Sequence, residues 1–401
     1  MRRGHVFRAM QPLMVYRLLE GMRVVEGAAF IAGPSCGLYL AQMGAEVIRF
    51  DNIGGGPDFR RWPLSQGGDS FYWEGLNKGK KSVAIDMSSA EGRELAVALA
   101  TAPGPQGGMF VTNFPVDGFL SYAALKARRD DLICLRIMGW ADGTSAVDYT
   151  VNAAVGVPLM TGPVDDPRPV NHVLPAWDLL TGAYAAFALL AADRARQATG
   201  AGQEIRVPLS DIAVSTLSHL GQVAEVLEAG GDRPRIGNDL FGAFGRDFST
   251  RDGRIIIVAI TPRQWRDLVK LLELTEPVAA IEAEAGVSFA ADEGARFVHR
   301  QRLFPLFEAA FARFDTAALK PLFDARGVCW SSYRSLSQAV ADPAGPFRGN
   351  PVFAEVEHPS SGRYMAAGPA ATLHGGGAAL QDLARRVSDS IPMKCLAPFW
   401  A

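Results

Sequence analysis

Cysteine is scarce. The 401 residues hold four, at positions 36, 134, 329 and 395, with no Cys-x-x-Cys pair and no histidine at ligand spacing. That excludes a disulfide framework and argues against a zinc site, so the thiols read as buried or incidental ones of a reducing compartment. Excess charge of either sign is also missing. Forty Lys plus Arg stand against 42 Asp plus Glu, a formal charge of -2, and the basic residues are scattered rather than massed. Such a balance gives no footprint for nucleic acid or an anionic membrane surface. No uninterrupted apolar run reaches the roughly 18 residues a membrane-spanning helix needs. The opening MRRGHVFRAMQPLMVYRLLEG lacks an apolar core followed by a small-residue cleavage site, so a cytoplasmic protein is expected.

What is present is an ordinary globular composition, 48% hydrophobic and 20% charged, long enough for a large core and for two domains. Strand and helix patterns alternate through the first third. Residues 22–30, 45–51, 82–87, 107–114 and 131–139 read as strands, and 34–44 and 88–102 as helices, the second with Ser89 placed to cap Gly92. This order predicts an α/β fold with a large parallel Rossmann-like sheet. Residues 202–227 read as a further strand and one long helix, 254–260 as a strand, and 263–340 as mainly helical. The expected organisation is an N-terminal extension (1–20), a large α/β domain (21–227), a smaller α+β domain (228–340), and a return segment with an atypical tail (341–401).

Few stretches suggest chemistry. The GGGPDF run at 54–59 lacks the spacing of a dinucleotide-binding turn. FIAGP at 30–34 lies between strand and helix, where backbone N–H groups and the helix dipole attract phosphate or carbonyl oxygens. Asp178 opens a long apolar helix with no further charge until Asp193. It can be a helix cap accepting first-turn N–H groups, or a desolvated carboxylate.

Several blocks in order carry a resemblance. They are V-V-E-G-x-x-F-I-A-G-P, G-A-E-V-I-R-F-D, N-K-G-K-K-S-V-A-I-D, T-N-F-P, P-A-W-D-L-L-T-G and T-G-A-G-Q-E-I-R-V. Together, from about residue 21 to about 370, the chain resembles the class III CoA-transferases, a family that includes the α-methylacyl-CoA racemases. The resemblance implies that Asp178 is the nucleophile, forming an aspartyl-CoA thioester, with no metal and no cofactor beyond the coenzyme A of an acyl-CoA substrate. It further implies an interlocked homodimer.

By the same resemblance Ile31, Ala32, Asn52, Lys78, Ile85, Asn113 and Phe114 line the CoA path, Asn52 standing where many relatives carry an arginine. Lys78, Lys80 and Lys81 form a basic loop suited to phosphates or merely a solvated one. Tyr149 and Asn152 can reach the acyl group or close a turn, and His172 reads as a loop histidine bonded to backbone.

The blocks at 147–163, 170–178 and 242–248 resemble the branch that moves CoA within one branched C5 dicarboxylate such as mesaconate. Intermolecular transfer, racemisation and a catalytically dead CoA-binding protein are the alternatives. Racemases carry a histidine where this chain has Val147, and proton removal and return at one carbon needs two acid/base groups. From residue 374 the tail departs from the Ala-Pro-x-Leu-Gly-Glu-His-Thr-type ending of relatives.

Overall fold

The computed structural model describes residues 13–358, 361–374 and 384–387. They form two compact units, one of the described residues within 1–155, 172–227 and 349–401, the other of 156–171 and 228–348. Residues 156–171, which the pattern places in the large domain, therefore pack with the small one.

In the larger unit six parallel strands line up in the order Lys81–Ile85, Glu46–Asn52, Arg23–Gly27, Met109–Thr112, Ile133–Met138 and Gln203–Pro208. The central ones are short runs rich in β-branched and apolar residues, the composition of strands covered on both faces. Val25 sits opposite Ile48 on one side and Phe110 on the other, and these central strands are almost wholly buried. The chain starts in mid-sheet, winds to one edge, returns to the centre and winds to the other. The strand order thus reverses between Arg23–Gly27 and Met109–Thr112. A crevice outside the carboxyl ends of strands at such a reversal is where doubly wound sheets bind ligands.

Two helices define that end of the sheet. Ala32–Gln42 follows the central strand after a four-residue turn, and Ala176–Thr199 packs on it. The packing is close enough that a Cβ on Gly182 would stand 2.7 Å from the Ser35 Cβ and 2.8 Å from the Ala32 carbonyl oxygen, so any larger residue would force the helices apart. Ser89 does cap the helix Ala90–Ala100, accepting the Gly92 N–H at 3.0 Å.

The smaller unit contains a three-stranded antiparallel sheet in the order Cys329–Ser332, Arg254–Ala259, Phe244–Ser249. Its core is aromatic, with Phe244, Trp265 and Phe307 packed ring to ring at 4.6–5.6 Å.

Three expectations need correction. The long helix expected in 202–227 is two, Leu209–His219 and Gln222–Ala229, because Gly221 at φ 78 lets the chain turn between them. Within the stretch read as an N-terminal extension, Leu13–Tyr16 is a strand antiparallel to Ala384–Val387. The return segment contains a hairpin, Phe353–His358 with Gly362–Ala367, that periodicity alone did not reveal. The rest of the atypical tail lies outside the described residues. Among the described residues no helix is long and apolar enough to cross a membrane.

Candidate active site

Asp178 is the third residue of the helix Ala176–Thr199, and Pro175 precedes it at the cap position with no side chain to offer. The free N–H groups of the first turn are instead taken by Asp148. Its Oδ2 accepts the N–H of Trp177 at 2.7 Å and of Asp178 at 3.1 Å, while Oδ1 meets His172 Nε2 at 2.5 Å. The cap is therefore Asp148, which resolves the ambiguity at Asp178. Relieved of that duty, the half-buried Asp178 carboxyl has a pKa raised to about 7, first by burial, then by the nearby negative charge of Asp148, against a smaller opposing pull from Arg61.

Asp148 opens the short helix Asp148–Ala154, whose next turn contributes Asn152. Both side chains are fully buried. Asn152 Oδ1 accepts the Trp177 indole N–H at 3.1 Å, so this helix clamps the start of the long one through backbone and ring together. Tyr149, exposed on the same helix, meets His172 edge-on with centroids 5.6 Å apart.

The turn at 28–31 lies at the carboxyl end of the central strand, beside the sheet reversal. Phe30 holds a φ of 72, unusual for an aromatic residue, and its N–H donates to Asp58 Oδ2 at 2.9 Å. Asp58 is gripped by the buried Arg49 at 3.0 Å, and Arg49 also bonds Asp51 and Glu26. Asn113, directly after the strand Met109–Thr112, receives the Ala29 N–H at 3.2 Å and donates to the Ala29 carbonyl at 3.0 Å. The two strands flanking the sheet reversal are thereby tied together at their carboxyl ends. A buried ionic network holding so strained a turn fits a site that needs a rigid backbone edge.

The residues singled out in the sequence fall into distinct settings. Ile31 and Ala32 begin the helix behind the Phe30 turn, and Asn113 and Phe114 stand across from them at the same end of the sheet. Ile85 packs in the apolar core at its strand end, leaving only backbone to offer a ligand. Asn52 is exposed at the tip of its strand.

The three lysines divide sharply. Lys80 is buried, its Nζ bonding both oxygens of Glu26 at 2.9 Å, the Pro34 carbonyl at 2.8 Å and Asn77 at 2.9 Å, so it is structural and unavailable to phosphate. Lys81 pairs with Glu46 at the surface. Lys78 donates to the Gly75 carbonyl at 2.6 Å, and desolvation brings its ammonium down to about 8, with Lys80 adding to the effect. Asn152 does not face an open site, because burial and the Trp177 bond fix it in a supporting place. His172 meets the Asp148 carboxylate through Nε2.

Two residues escaped notice in the sequence. Asp148 was visible only as the residue after Val147, and because it caps a helix other than the one it opens, no local capping signal marks it. Arg61 lies in R-R-W-P after Asp58 and brings the cation whose charge acts on Asp178.

The family model for CoA-transferase family III matches residues 19–384. A 2-methylfumaryl-CoA isomerase of Chloroflexus aurantiacus is 48% identical over 353 residues, covering 88% of this chain and 86% of that protein. A succinyl-CoA–D-citramalate CoA-transferase of the same organism is 27% identical over 82% of this chain and 81% of its own length. Among solved structures, a CAIB/BAIF family protein from Brucella suis superposes with a TM-score of 0.73 at 25% identity, covering 94% of this chain and 96% of that one. On sequence and on fold alike, this chain belongs to CoA-transferase family III.

Proposed function

We propose that this enzyme carries CoA from C1 to C4 of mesaconyl-CoA within a single bound molecule, the activity named for its 48% identical relative. The observation that carries the reading is Asp178, a carboxyl group with raised pKa at a helix start whose capping has been assumed by Asp148. A carboxylate so placed is desolvated enough to be nucleophilic and still ionises near neutrality.

Attack of the Asp178 carboxylate on the C1 thioester carbonyl breaks the C–S bond, giving a mixed anhydride and CoA thiolate. The thiolate then attacks the aspartyl carbonyl of the anhydride. This releases the C1 carboxylate and leaves an aspartyl-CoA thioester. The mesaconate dianion stays in place and its C4 carboxylate attacks that thioester, forming an anhydride at C4 and again freeing thiolate. Attack of thiolate on the C4 carbonyl yields the C4 thioester and returns Asp178 as a carboxylate. Each step exchanges one acyl–oxygen or acyl–sulfur bond for another with no redox change, so no metal or further cofactor is needed.

In this reading the nucleotide and pantetheine run along the crevice at the sheet reversal, past Ile31, Ala32, Asn113 and Phe114, with Lys78 near the phosphates. Tyr149 faces the acyl group. The enzyme works in the cytoplasm as an interlocked homodimer. Racemisation is disfavoured because Val147 replaces the expected imidazole and His172 is held by Asp148 through Nε2.

The deciding experiment incubates the enzyme with mesaconyl-C1-CoA alone and follows the C4 isomer by chromatography. Isomer should appear without added acid, and labelled free mesaconate should enter the product only slightly. An absolute need for a second acid, or rapid uptake of label, moves the enzyme to intermolecular transfer.

A further inference from the structure

The Arg61 guanidinium lies between two rings, its Cζ 5.6 Å from the centroid of Phe30 and 5.5 Å from that of Tyr72. All three residues are fixed by one framework. Phe30 is held through its N–H by Asp58, and the Arg61 N–H bonds the Asp58 carbonyl at 3.1 Å. The Arg61 carbonyl accepts the Ser70 hydroxyl at 2.5 Å, and Ser70 caps the helix Phe71–Asn77 that bears Tyr72. Among the described residues no carboxylate comes within ion-pair distance of this exposed guanidinium. The Tyr72 hydroxyl is buried and has no hydrogen-bond partner. An arginine fork with open donors beside an unused hydroxyl is a carboxylate receptor, and aromatic flanks lower the cost of stripping water from it.

We infer that Arg61, aided by the Tyr72 hydroxyl, binds the free carboxylate of the substrate's acyl group and so selects dicarboxylyl-CoA esters. This rests on the transfer reaction proposed above and names the group that reads its acyl part. The proximity of Asp178 is consistent with it, since Arg61 favours the ionised form of Asp178 while Asp178 raises the Tyr72 pKa, although burial is the largest cause there. With one carboxylate on Arg61 the other end of a short diacid is presented to Asp178. Once CoA is carried on Asp178, the two carboxylates of the diacid can exchange places between the cation and the aspartyl thioester. A monoacid lacks the group that Arg61 holds.

The test is equilibrium binding in an Asp178→Asn background, where ester is not consumed. The probes are mesaconyl-C1-CoA and tiglyl-CoA, which has a methyl group in place of the free carboxylate. The inference expects the diacid ester to bind roughly 10- to 100-fold more tightly than tiglyl-CoA, and Arg61→Met to abolish that difference while changing tiglyl-CoA binding less than about twofold. Tyr72→Phe, a smaller change, should weaken only the diacid ester. Equal weakening of both esters by Arg61→Met, or no weakening of either, overturns the assignment. Binding preference and isomerisation are read separately. A protein that prefers the diacid ester but fails to isomerise it in the wild-type form refutes the transfer mode and leaves the Arg61 assignment standing.

Discussion

The backbone N–H of Asp178 donates to Oδ2 of Asp148 at 3.1 Å, and this bond gives two neighbouring carboxylates different roles. Asp148 is buried, hydrogen-bonded on both oxygens and acts as the helix cap. Asp178 is left with a desolvated side chain and a negative neighbour.

The first consequence is a pH dependence. In the proposed mechanism only ionised Asp178 attacks the thioester, so kcat/KM should rise with pH through a midpoint of about 7. Asp148→Asn keeps an acceptor for the first-turn N–H groups and removes the charge that raises the Asp178 pKa. Its acid limb should move to lower pH, read from a pH–rate profile of both proteins.

Stability should respond in the opposite sense to a salt-bridged acid. Because the folded pKa of Asp178 lies above the unfolded one, the protonated group favours the fold below about 4, and that contribution is lost as pH rises through about 7. Asp178→Asn should therefore stabilise the protein at pH 8 by on the order of 1–3 kcal/mol after allowance for solvent screening. The gain should vanish near pH 4, as chemical denaturation at the two pH values would show.

Adjacent lysines should differ in kind. Lys80→Ala removes the nearer of the two cations on the buried Glu26, leaving the more distant Arg49, and should cost about 3–5 kcal/mol. Lys81→Ala breaks only a surface pair with Glu46 and should cost less than about 1 kcal/mol. Urea midpoints of the two variants would separate a structural lysine from a solvated one.

Asn152→Ala should strand the Trp177 indole N–H in the interior at about 1–3 kcal/mol. Its thermal midpoint should fall, and Trp177 emission should change as the first turn loosens.

The large sheet was legible because its central strands are short apolar runs set between helical lengths, and Val24, Val111 and Leu135 leave little choice of fold class. The separation of Lys78, Lys80 and Lys81 was not legible. Their fates depend on Glu26 and Glu46, which come from other strands and meet them only in the folded sheet. For the same reason the sequence left Asp178 between cap and nucleophile. The residue that takes over the capping, Asp148, lies 30 positions away and arrives by tertiary packing. Arg61 carried no local signal beyond its charge, since its significance comes from the Phe30 and Tyr72 rings that enclose it.

The central claim is a covalent bond between Asp178 and CoA during turnover. The most direct measurement is to add hydroxylamine or borohydride to enzyme turning over mesaconyl-CoA, then determine the mass of the peptide that contains Asp178. The account predicts a hydroxamate or a reduced side chain at Asp178, formed only when substrate is present, and loss of nearly all turnover in Asp178→Asn with CoA-ester binding retained. An unmodified Asp178 peptide, together with substantial transfer by Asp178→Asn, would contradict it.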